Sequence, residues 1–415
     1  MGAIQLSYST FGLTNLDFLD AIDAVDRAGY AGVEISFHRD QFNPFNIDDA
    51  YLAEVKKRLD ARRVNAACVA TASHFFDPHR PHEPSLMALE KAGRKRRIDL
   101  VKRGIHVARQ LGTNLVTFGS GFVRDDHVAH PEVNPSELLV DSIHECLREI
   151  RDDEDITLLI EPEPGMYIET MAQGLELMRL VDSPKFKLHI DICHAYCSEH
   201  NYVDALAQAA PHAKYLHISD AREGYNLKIV QDHPELAPDL GFASVLVHFP
   251  DNAEFLLLDR KHPIYFYEGT LSLTRRQRVD ALLQQANVQQ DLQLIDYRSL
   301  YAGSSPRDDE IFTYLISMPG LSYDVLERAR PIAGYLRGAK RAPLVDKMVA
   351  NTLTGIVHFH EIPGEGTLDF AASFKALTEN GFSGYGSIEL YHHVEGWQKA
   401  LDDSYRHLMP FLATP

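Results

Sequence analysis

The chain has 415 residues, 45% of them hydrophobic and 24% charged, and this balance is typical of a globular protein with a large core. Its 41 Lys and Arg residues against 59 Asp and Glu residues give a formal net charge of −18, which opposes binding to a nucleic-acid backbone. No run approaches the roughly 18 apolar residues of a membrane span, and the N-terminus MGAIQLSYSTFG lacks a signal-peptide pattern. The sequence therefore predicts a soluble cytoplasmic protein that has neither a nucleic acid nor a membrane as partner.

A short apolar run followed by an amphipathic helical stretch repeats along the first 220 residues. The helical stretches, such as NLDFLDAIDAVDRAGY and SELLVDSIHECLREIRDD, carry apolar residues at three- and four-residue intervals. Alternating β and α units of this kind predict a parallel sheet. The seven apolar runs are IQLSYSTFG, GVEISF, VNAACVAT, TNLVTFGSG, ITLLIEPEPG, FKLHIDICH and AKYLHISDA.

An eighth unit lies near the C-terminus, where YGSIELYHH precedes the helical run WQKALDDSYRHLMPFL. Eight βα units close a barrel, so we predict an α/β fold, a (β/α)8 TIM barrel made of residues 1–222 and 354–415. The alternative of two tandem domains divided near residue 222 would leave YGSIELYHH without a sheet to join.

Residues 223–353 interrupt the regular alternation of strands and helices between the predicted strands seven and eight. The segment is too long for a structureless loop in a compact domain, and we interpret it as a large inserted α/β subdomain. It has the strand-like runs ASVLVHF, EFLLLD, PIYFYEG and LQLIDY and the helical runs LTRRQRVDALLQQA, EIFTYLISM and YDVLERARPIAGYL. A lid, an oligomer contact and a substrate platform all remain open as its role.

Polar residues stand where the predicted strands end, which is the face where parallel barrels build their active sites. A carboxylate at Glu161, directly after the apolar run ITLLI, is rarely buried unless it is paired. Carboxylates and imidazoles together suit one divalent ion of the manganese, magnesium, cobalt or zinc group. The residues in question are Glu161 and Glu163 after strand five, Asp191 and His194 after strand six, His217 in strand seven and Glu389 after strand eight. Others are Glu34, His38, His74, Asp220, His358, His360 and Glu365.

Four further histidines, His79, His82, His127 and His130, occur in hydrophilic loops, and we expect them to be solvated. A single Glu or His at a strand end is more often a surface or capping residue than a ligand. Four separate strands that end in Glu, Asp, His and Glu make coincidence a poor explanation, so the sequence predicts one shared metal site.

In six motifs the sequence resembles the xylose-isomerase-like TIM-barrel superfamily over about residues 4–222 and 354–413. That superfamily includes ketose 3-epimerases, sugar-phosphate isomerases, inosose and dehydroshikimate dehydratases, and apurinic endonucleases. The motifs are GVEISF, LLIEPEPG, HIDICHAY, YLHISDA, HEIPGEGTLDF and GYGSIELY.

The resemblance to the epimerase branch implies a role for each of these residues. It implies that one divalent ion is bound by Glu161, Asp191, His217 and Glu389. Glu161 and Glu389 would also act as the catalytic base and acid. The same branch implies that His194 contacts substrate hydroxyls, and we expect His74, Glu163 and His360 to bind the substrate as well. His74 and His360 occupy places where the apurinic endonucleases have additional metal-binding histidines.

The sequence departs from the family pattern at two places. The run EPEPG, with Glu163 and Pro164, stands where epimerases usually carry an asparagine, and the long insertion replaces a short loop. The endonuclease pattern is also incomplete, because strand four offers no histidine and His358 stands where an aspartate is expected.

The leading hypothesis is a divalent-metal-dependent isomerase or epimerase that acts on a sugar, a sugar phosphate or a related polyhydroxy carbonyl compound through an enediolate. The residues leave open a metal-dependent dehydratase of a cyclitol or shikimate-like substrate, and a non-catalytic metabolite-binding protein. No GxGxxG opens a helix after the first strand, which disfavours an oxidoreductase. The expected partner is a small polyhydroxylated molecule, and homo-oligomerisation is left open.

Overall fold

The computed structural model describes most of the barrel portion of the chain and a set of strands from the remainder. Between residues 222 and 359 it describes the backbone of strands only. The described ranges are 4–71, 75–76, 82–121, 127, 130, 132–164, 166–199, 201–223, 228–229, 241–242, 244–249, 254–259, 264–268, 293–296, 313–317, 356–391 and 393–412.

Eight parallel strands form a closed barrel, as the sequence predicted. The first strand, β1, pairs with β2 on one side and with the last strand, β17, on the other, so that Ile4 lies opposite Gly384. The barrel strands are β1 (Ile4–Ser9), β2 (Gly32–Ser36), β3 (Asn65–Ala70), β4 (Leu115–Gly119), β5 (Thr157–Glu161), β6 (Phe186–Asp191), β7 (Ala213–Ile218) and β17 (Gly384–Ile388).

Helices connect the barrel strands, and side-chain caps define where several of them begin. Asn134 accepts a hydrogen bond from the backbone of Ser136, and Thr170 forms a capping box with Gln173. The helices are α1 (Phe18–Arg27), α2 (Asp49–Arg62), α3 (Lys91–Leu111), α4 (Pro135–Leu147), α5 (Met171–Val181), α6 (Ile192–Ser198), α7 (Tyr202–Ala209), α8 (Phe370–Glu379) and α9 (Trp397–Leu412). Short 3-10 helices span Thr10–Leu13, Ala210–His212 and Val394–Gly396.

The period-two alternation of the strands separates the barrel's apolar layer from its polar interior. In β7, Leu216 and Ile218 belong to the main apolar core, whereas Tyr215 and His217 do not. In β6 the same alternation separates Ile190 from Asp191. Residues two apart in these strands therefore point to one side, and the polar ones gather where the strands end.

The chain divides into two compact units, one with residues 1–123, 132–222 and 358–415, the other with 124–131 and 223–357. The predicted inserted subdomain, 223–353, and its role stay predictions. Outside the barrel lie β8 (Asp220–Glu223), β9 (Lys228–Ile229), β10 (Gly241–Phe242), β11 (Ser244–Phe249), β12 (Glu254–Asp259), β13 (Ile264–Glu268), β14 (Gln293–Asp296), β15 (Thr313–Ser317) and β16 (Ile356–Glu361).

The second unit contains a five-stranded antiparallel sheet in the order β11-β12-β13-β15-β14. The prediction of a helix over EIFTYLISM was wrong, because Thr313–Ser317 is the strand β15 between β13 and β14. Its β-branched and aromatic residues suit a strand with neighbours on both sides. The predicted helical runs LTRRQRVDALLQQA and YDVLERARPIAGYL lie outside the described residues.

None of the helices in the described ranges combines the length and the apolar composition that crossing a membrane requires. The cytoplasmic location stays a prediction.

Glu154 connects the segment between α4 and β5 to helix α3. Its carboxylate accepts hydrogen bonds from Arg109 Nη2 at 2.9 Å and from the backbone nitrogen of Arg151 at 2.9 Å. The hydrogen bond from Arg109 is the main cause that lowers the pKa of Glu154 to about 2. The ionised form is therefore favoured in the folded protein.

We expect Glu154→Gln to lower the free energy of unfolding at pH 7. Because the pKa of Glu154 is lower in the folded state, its contribution is present above its ordinary pKa and is lost as the pH falls towards 2. The difference between wild type and variant should therefore shrink in urea denaturation at acidic pH. Glu176→Gln, which removes an exposed pair with Arg179, is the control and should change little at any pH. An equal difference at pH 7 and pH 3 would contradict this role of Glu154.

Candidate metal centre and active site

Three carboxylates from three barrel strands surround one nitrogen of His217. Nδ1 of His217 lies 2.9 Å from Glu161 Oε1, 3.5 Å from Glu389 Oε2 and 3.9 Å from Asp191 Oδ2. Glu161 and Asp191 are the last residues of β5 and β6, and Glu389 directly follows β17. The structure thus brings together the four residues that the sequence grouped as ligands.

Asp191 has one oxygen in a helix cap and one directed into this cluster. Oδ1 accepts a hydrogen bond from the backbone nitrogen of His194 at 2.9 Å, at the start of α6. Oδ2 is buried and has no hydrogen-bond partner in the part of the chain that the structure describes. Nitrogens of His194, His360 and His217 lie 3.6, 3.7 and 3.9 Å from it, too far for hydrogen bonds. A buried carboxylate oxygen with this surrounding fits a cation.

Burial changes the proton affinity of the groups in the cluster. It raises the pKa of Glu161 to about 7 and the pKa of Glu389 well above its ordinary range. Burial lowers the pKa of His217, but the charges of Glu34, Glu389 and Glu161 outweigh it and the net pKa is raised. The cluster contains more carboxyl groups than one imidazolium can pair with, and a divalent cation fits this donor set.

The donor atoms are close enough for several sets of metal ligands. Within the described residues, four groups have ligand atoms that all lie within 4.8 Å of one another. They are Glu161, His189 and His217; Asp191, Cys193 and His360; Glu34, His217 and Glu389; and Glu161, Asp191 and His194.

His194 and His360 meet beside Asp191. Their Nε2 atoms lie 3.2 Å apart, while Nδ1 of His194 lies 3.0 Å from the carbonyl oxygen of Pro162. His360, in β16, has its Nδ1 2.9 Å from the carbonyl oxygen of Glu389 and adopts a φ of +23°, which is strained for a residue with a Cβ. Two of the three histidines that the sequence assigned to substrate binding thus lie in the cluster.

Glu163 lies two residues beyond the end of β5. Burial, reinforced by the charge of Asp191, raises its pKa to about 8, so the carboxyl group is favoured in its protonated form at neutral pH. His82 Nε2 lies 3.5 Å from its carboxylate. The expectation that His82 is solvated was therefore wrong, because the segment after β3 places it 8% exposed against the site.

Other candidates lie elsewhere or outside the described side chains. His74, expected to bind substrate, and His79 lie outside the described residues, as does the side chain of His358. Glu365 is exposed and pairs with Lys399. The expectation of solvation was also wrong for His127, which is 5% exposed.

Asp220 supports the loop that follows His360. Its carboxylate accepts backbone hydrogen bonds from Gly364 and Gly366 at 2.9 and 3.0 Å and from Leu368 and Ala221 at 3.0 and 2.9 Å. A Cβ at Gly366 would lie 2.3 Å from Asp220 Oδ1, so that position requires glycine. Asp220, which the sequence marked as a possible site residue, holds the loop and is not one of the clustered donors.

Two contacts of the cluster were not expected from the sequence. Glu34 Oε2 lies 2.6 Å from His217 Nε2, and the ring of His189 meets that of His217 edge to face with centroids 4.1 Å apart. His189 Nδ1 lies 2.7 Å from Thr117 Oγ1. Strand periodicity could have identified His189, because it precedes Asp191 by two residues and therefore points to the same side of β6.

Comparison with known proteins finds a match to one family model. The model describes a xylose isomerase-like TIM barrel and matches residues 22–264, in agreement with the resemblance of the motifs. A probable ketose 3-epimerase from Synechocystis sp. is 35% identical over 66 residues, which span 15% of this chain and 23% of that relative.

Solved structures show the same fold at low identity. The probable 3-DHS dehydratase AsbF from Bacillus anthracis is 12% identical with a TM-score of 0.53, covering 98% of this chain and 99% of that one. A D-tagatose 3-epimerase-like protein is 12% identical with a TM-score of 0.52, covering 99% and 100%. These similarities extend to the fold alone.

We expect Asp220→Ala to lower the free energy of unfolding by more than about 2 kcal/mol, because four backbone amides, two of them in the buried residues Ala221 and Leu368, lose their carboxylate acceptor. Amide hydrogen exchange of Gly364 and Gly366, followed by mass spectrometry, should accelerate. Asp369→Ala is the matched control, since it removes only the cap of α8 and should cost about 1 kcal/mol without changing exchange at Gly364. Unchanged exchange in the Asp220 variant would contradict this loop-holding role.

Proposed function

The chain belongs to the xylose isomerase-like TIM-barrel family, and on this basis we propose that it is a divalent-metal-dependent isomerase or epimerase. Its substrate would be a sugar, a sugar phosphate or a related polyhydroxy carbonyl compound. One observation supports this above all: three carboxylates from different strands lie within 3.9 Å of His217 Nδ1.

The residues proposed to hold the cation are Glu161, Asp191, His217 and Glu389. Their oxygen and nitrogen donors suit manganese, magnesium, cobalt or zinc. The bound cation would supply electrostatic stabilisation of the enediolate that forms when the proton alpha to the carbonyl is removed.

Glu161 is the proposed base. Burial raises its pKa to about 7, so near neutral pH its carboxylate can accept a proton and release it again. Glu389 reaches the same centre from β17 rather than β5 and would return the proton from a second direction. Two carboxylates at two positions are what an inversion at carbon requires.

His194, His360 and Glu163 are proposed to orient the substrate's hydroxyl groups, together with His74. Both described histidines are nearly inaccessible to solvent, 3% and 1% exposed. Their positions beside Asp191 place hydrogen-bonding groups next to the proposed cation while limiting the access of water.

A dehydratase is the second candidate, and Glu163 favours it. Loss of a beta-hydroxyl needs a proton donor for the leaving oxygen, and a carboxyl group whose pKa is raised to about 8 is protonated at neutral pH. This residue stands where the epimerase branch usually carries an asparagine. Product mass separates the two reactions, because an epimer is isobaric with its substrate whereas dehydration removes one water.

We expect Glu161→Gln to reduce turnover of any accepted substrate by about 10²–10⁴-fold, because the amide cannot take the proton. Circular dichroism should show an unchanged fold. Glu199→Gln is the control, since Glu199 is a partly buried carboxylate that accepts a hydrogen bond from the backbone of Met171 and does not touch the cluster. Near-normal activity of the Glu161 variant would refute its assignment as base.

We expect the purified protein to contain one divalent ion per chain, measured by plasma mass spectrometry. Dialysis against a chelator should abolish activity, and manganese or cobalt should restore it. A protein without any stoichiometric ion, and with no gain on adding one, would favour a metabolite-binding role without catalysis.

A further inference from the structure

His189 lies in β6, two residues before Asp191, and its side chain is fully buried. Because side chains alternate along a strand, it points to the same side of β6 as Asp191, one step deeper in the barrel interior. The pairing of β6 with β7 places His189 opposite Tyr215 and Asp191 opposite His217. His189 is therefore the diagonal neighbour of His217 on the adjacent strand.

The ring of His189 packs against the ring of His217. Their centroids are 4.1 Å apart and their planes are inclined at 80°, an edge-to-face arrangement. The nitrogens of His217 meet Glu161 Oε1 at 2.9 Å and Glu34 Oε2 at 2.6 Å, but these contacts leave the ring free to tilt about the line that joins the two nitrogens. A second ring packed against it opposes that tilt. Packing of this kind requires no particular protonation state of His217.

Thr117, in β4, holds the ring of His189 in place. Its Oγ1 lies 2.7 Å from His189 Nδ1, a hydrogen-bonding distance, and both side chains are buried. Tyr215 adds a second ring contact to His189, with centroids 5.0 Å apart. His189 therefore cannot turn away from His217 without losing a buried hydrogen bond and two ring contacts.

We propose that His189 is a positioning residue, whose ring keeps the imidazole of His217 in the orientation in which it would bind the proposed cation. This inference rests on the proposed function, since it concerns the same cation. It assigns to His189 an effect on the cation that is exerted through His217 and not through a bond of its own.

Direct ligation is the rival role of His189, because Glu161, His189 and His217 offer ligand atoms within 4.8 Å of one another. The distance between the two imidazole rings favours positioning. Two imidazoles that bind one cation through bonds of about 2.1 Å would have ring centroids roughly 5 Å apart. The centroids of His189 and His217 are closer, at 4.1 Å, which is the separation of rings that pack against each other.

The test measures the binding of Mn²⁺ to the full-length protein by calorimetry. We expect His189→Ala to weaken Mn²⁺ binding by about 10–100-fold, because the ring of His217 is then free to tilt. His189→Phe should restore most of the affinity, because phenyl keeps a ring beside His217. Nε2 of His189 has no hydrogen-bond partner among the described residues, so the exchange for Phe removes a single hydrogen bond, the one with Thr117.

A second measurement needs no cation. In crystals of the cation-free protein, His217 should adopt one side-chain conformation in the wild type and in His189→Phe, and a different one or several in His189→Ala. A ligand role for His189 predicts instead that His189→Phe binds Mn²⁺ as weakly as His189→Ala and that His217 keeps its conformation in both variants.

Leu159→Ala is the matched control. Leu159 stands two residues before Glu161 in β5, as His189 stands two residues before Asp191 in β6. It is equally buried and belongs to an interior cluster with Tyr215. Its truncation opens a cavity in the barrel interior and should leave the affinity for Mn²⁺ near that of wild type. A loss as large as in His189→Ala would show that any interior cavity weakens binding and would overturn the proposal.

Wild-type affinity for Mn²⁺ in His189→Ala would also overturn it, and so would equal losses in His189→Ala and His189→Phe. If the wild type bound no Mn²⁺ at all, the proposed function would fail, while the conformation of His217 in the cation-free crystals would still decide the role of His189.

Thr117→Val keeps the test decisive should His189→Ala not fold. It removes the hydrogen bond that holds His189 and should weaken Mn²⁺ binding a few-fold in a folded protein. In that case, wild-type affinity and an unchanged conformation of His217 in Thr117→Val would overturn the proposal.

Discussion

The burial of neighbouring carboxyl groups is the constraint on which the site depends. Glu161, Asp191 and Glu389 approach one nitrogen within 3.9 Å, inside a barrel that removes most of their hydration. Charges in such a place are costly unless they are paired, and one imidazole is not enough for three carboxylates. Burial is the main cause that raises the pKa values of Glu161 and Glu389, and neighbouring carboxyl groups add to it. Asp191 Oδ2 is buried as well and has no hydrogen-bond partner among the described residues. A divalent cation would pair with these carboxylates, which is why the geometry and the burial support the same proposal.

The barrel makes this arrangement possible because it brings together in space donor groups that are far apart in the sequence. Parallel strands end at one edge, so the final residues of β5 and β6 and the residue after β17 meet there although more than 200 residues separate the first from the last. Local contacts then orient two of these groups. The hydrogen bond at the start of α6 orients Asp191, and the contact with Glu34 orients His217. Asp220 holds the chain where it returns to the barrel after β16, through hydrogen bonds from the backbone of Gly364 and Gly366.

How far the sequence predicts this structure differs from residue to residue. Glu161 and Asp191 could be found because a carboxylate interrupts an apolar strand, a pattern that is expensive without a reason. The contact of Glu34 with His217 could not be found, because it depends on the stagger between strands that are 183 residues apart. The strand β15 was misread as a helix for a related reason, since a short apolar run has no periodicity long enough to decide and its neighbours in the sheet do. The local sequence pattern therefore predicted most strands and helices and the types of ligand residue. Which residues meet across the barrel could be seen only in the three-dimensional structure.

Glu163 is where the two candidate reactions diverge. An epimerase needs two proton-transfer groups at one carbon, and these are the roles proposed for Glu161 and Glu389. A third carboxyl group two residues beyond β5, protonated at neutral pH and 3.5 Å from His82, is unnecessary for that chemistry. It is useful where an oxygen must leave as water, or where a substrate oxygen needs a hydrogen-bond donor. In the first case the proton is consumed in each turnover and has to be replaced; in the second it stays on Glu163. Exchanging Glu163 for Gln keeps a donor but removes the acid, so the loss of dehydration with retention of binding would assign Glu163 to the leaving group.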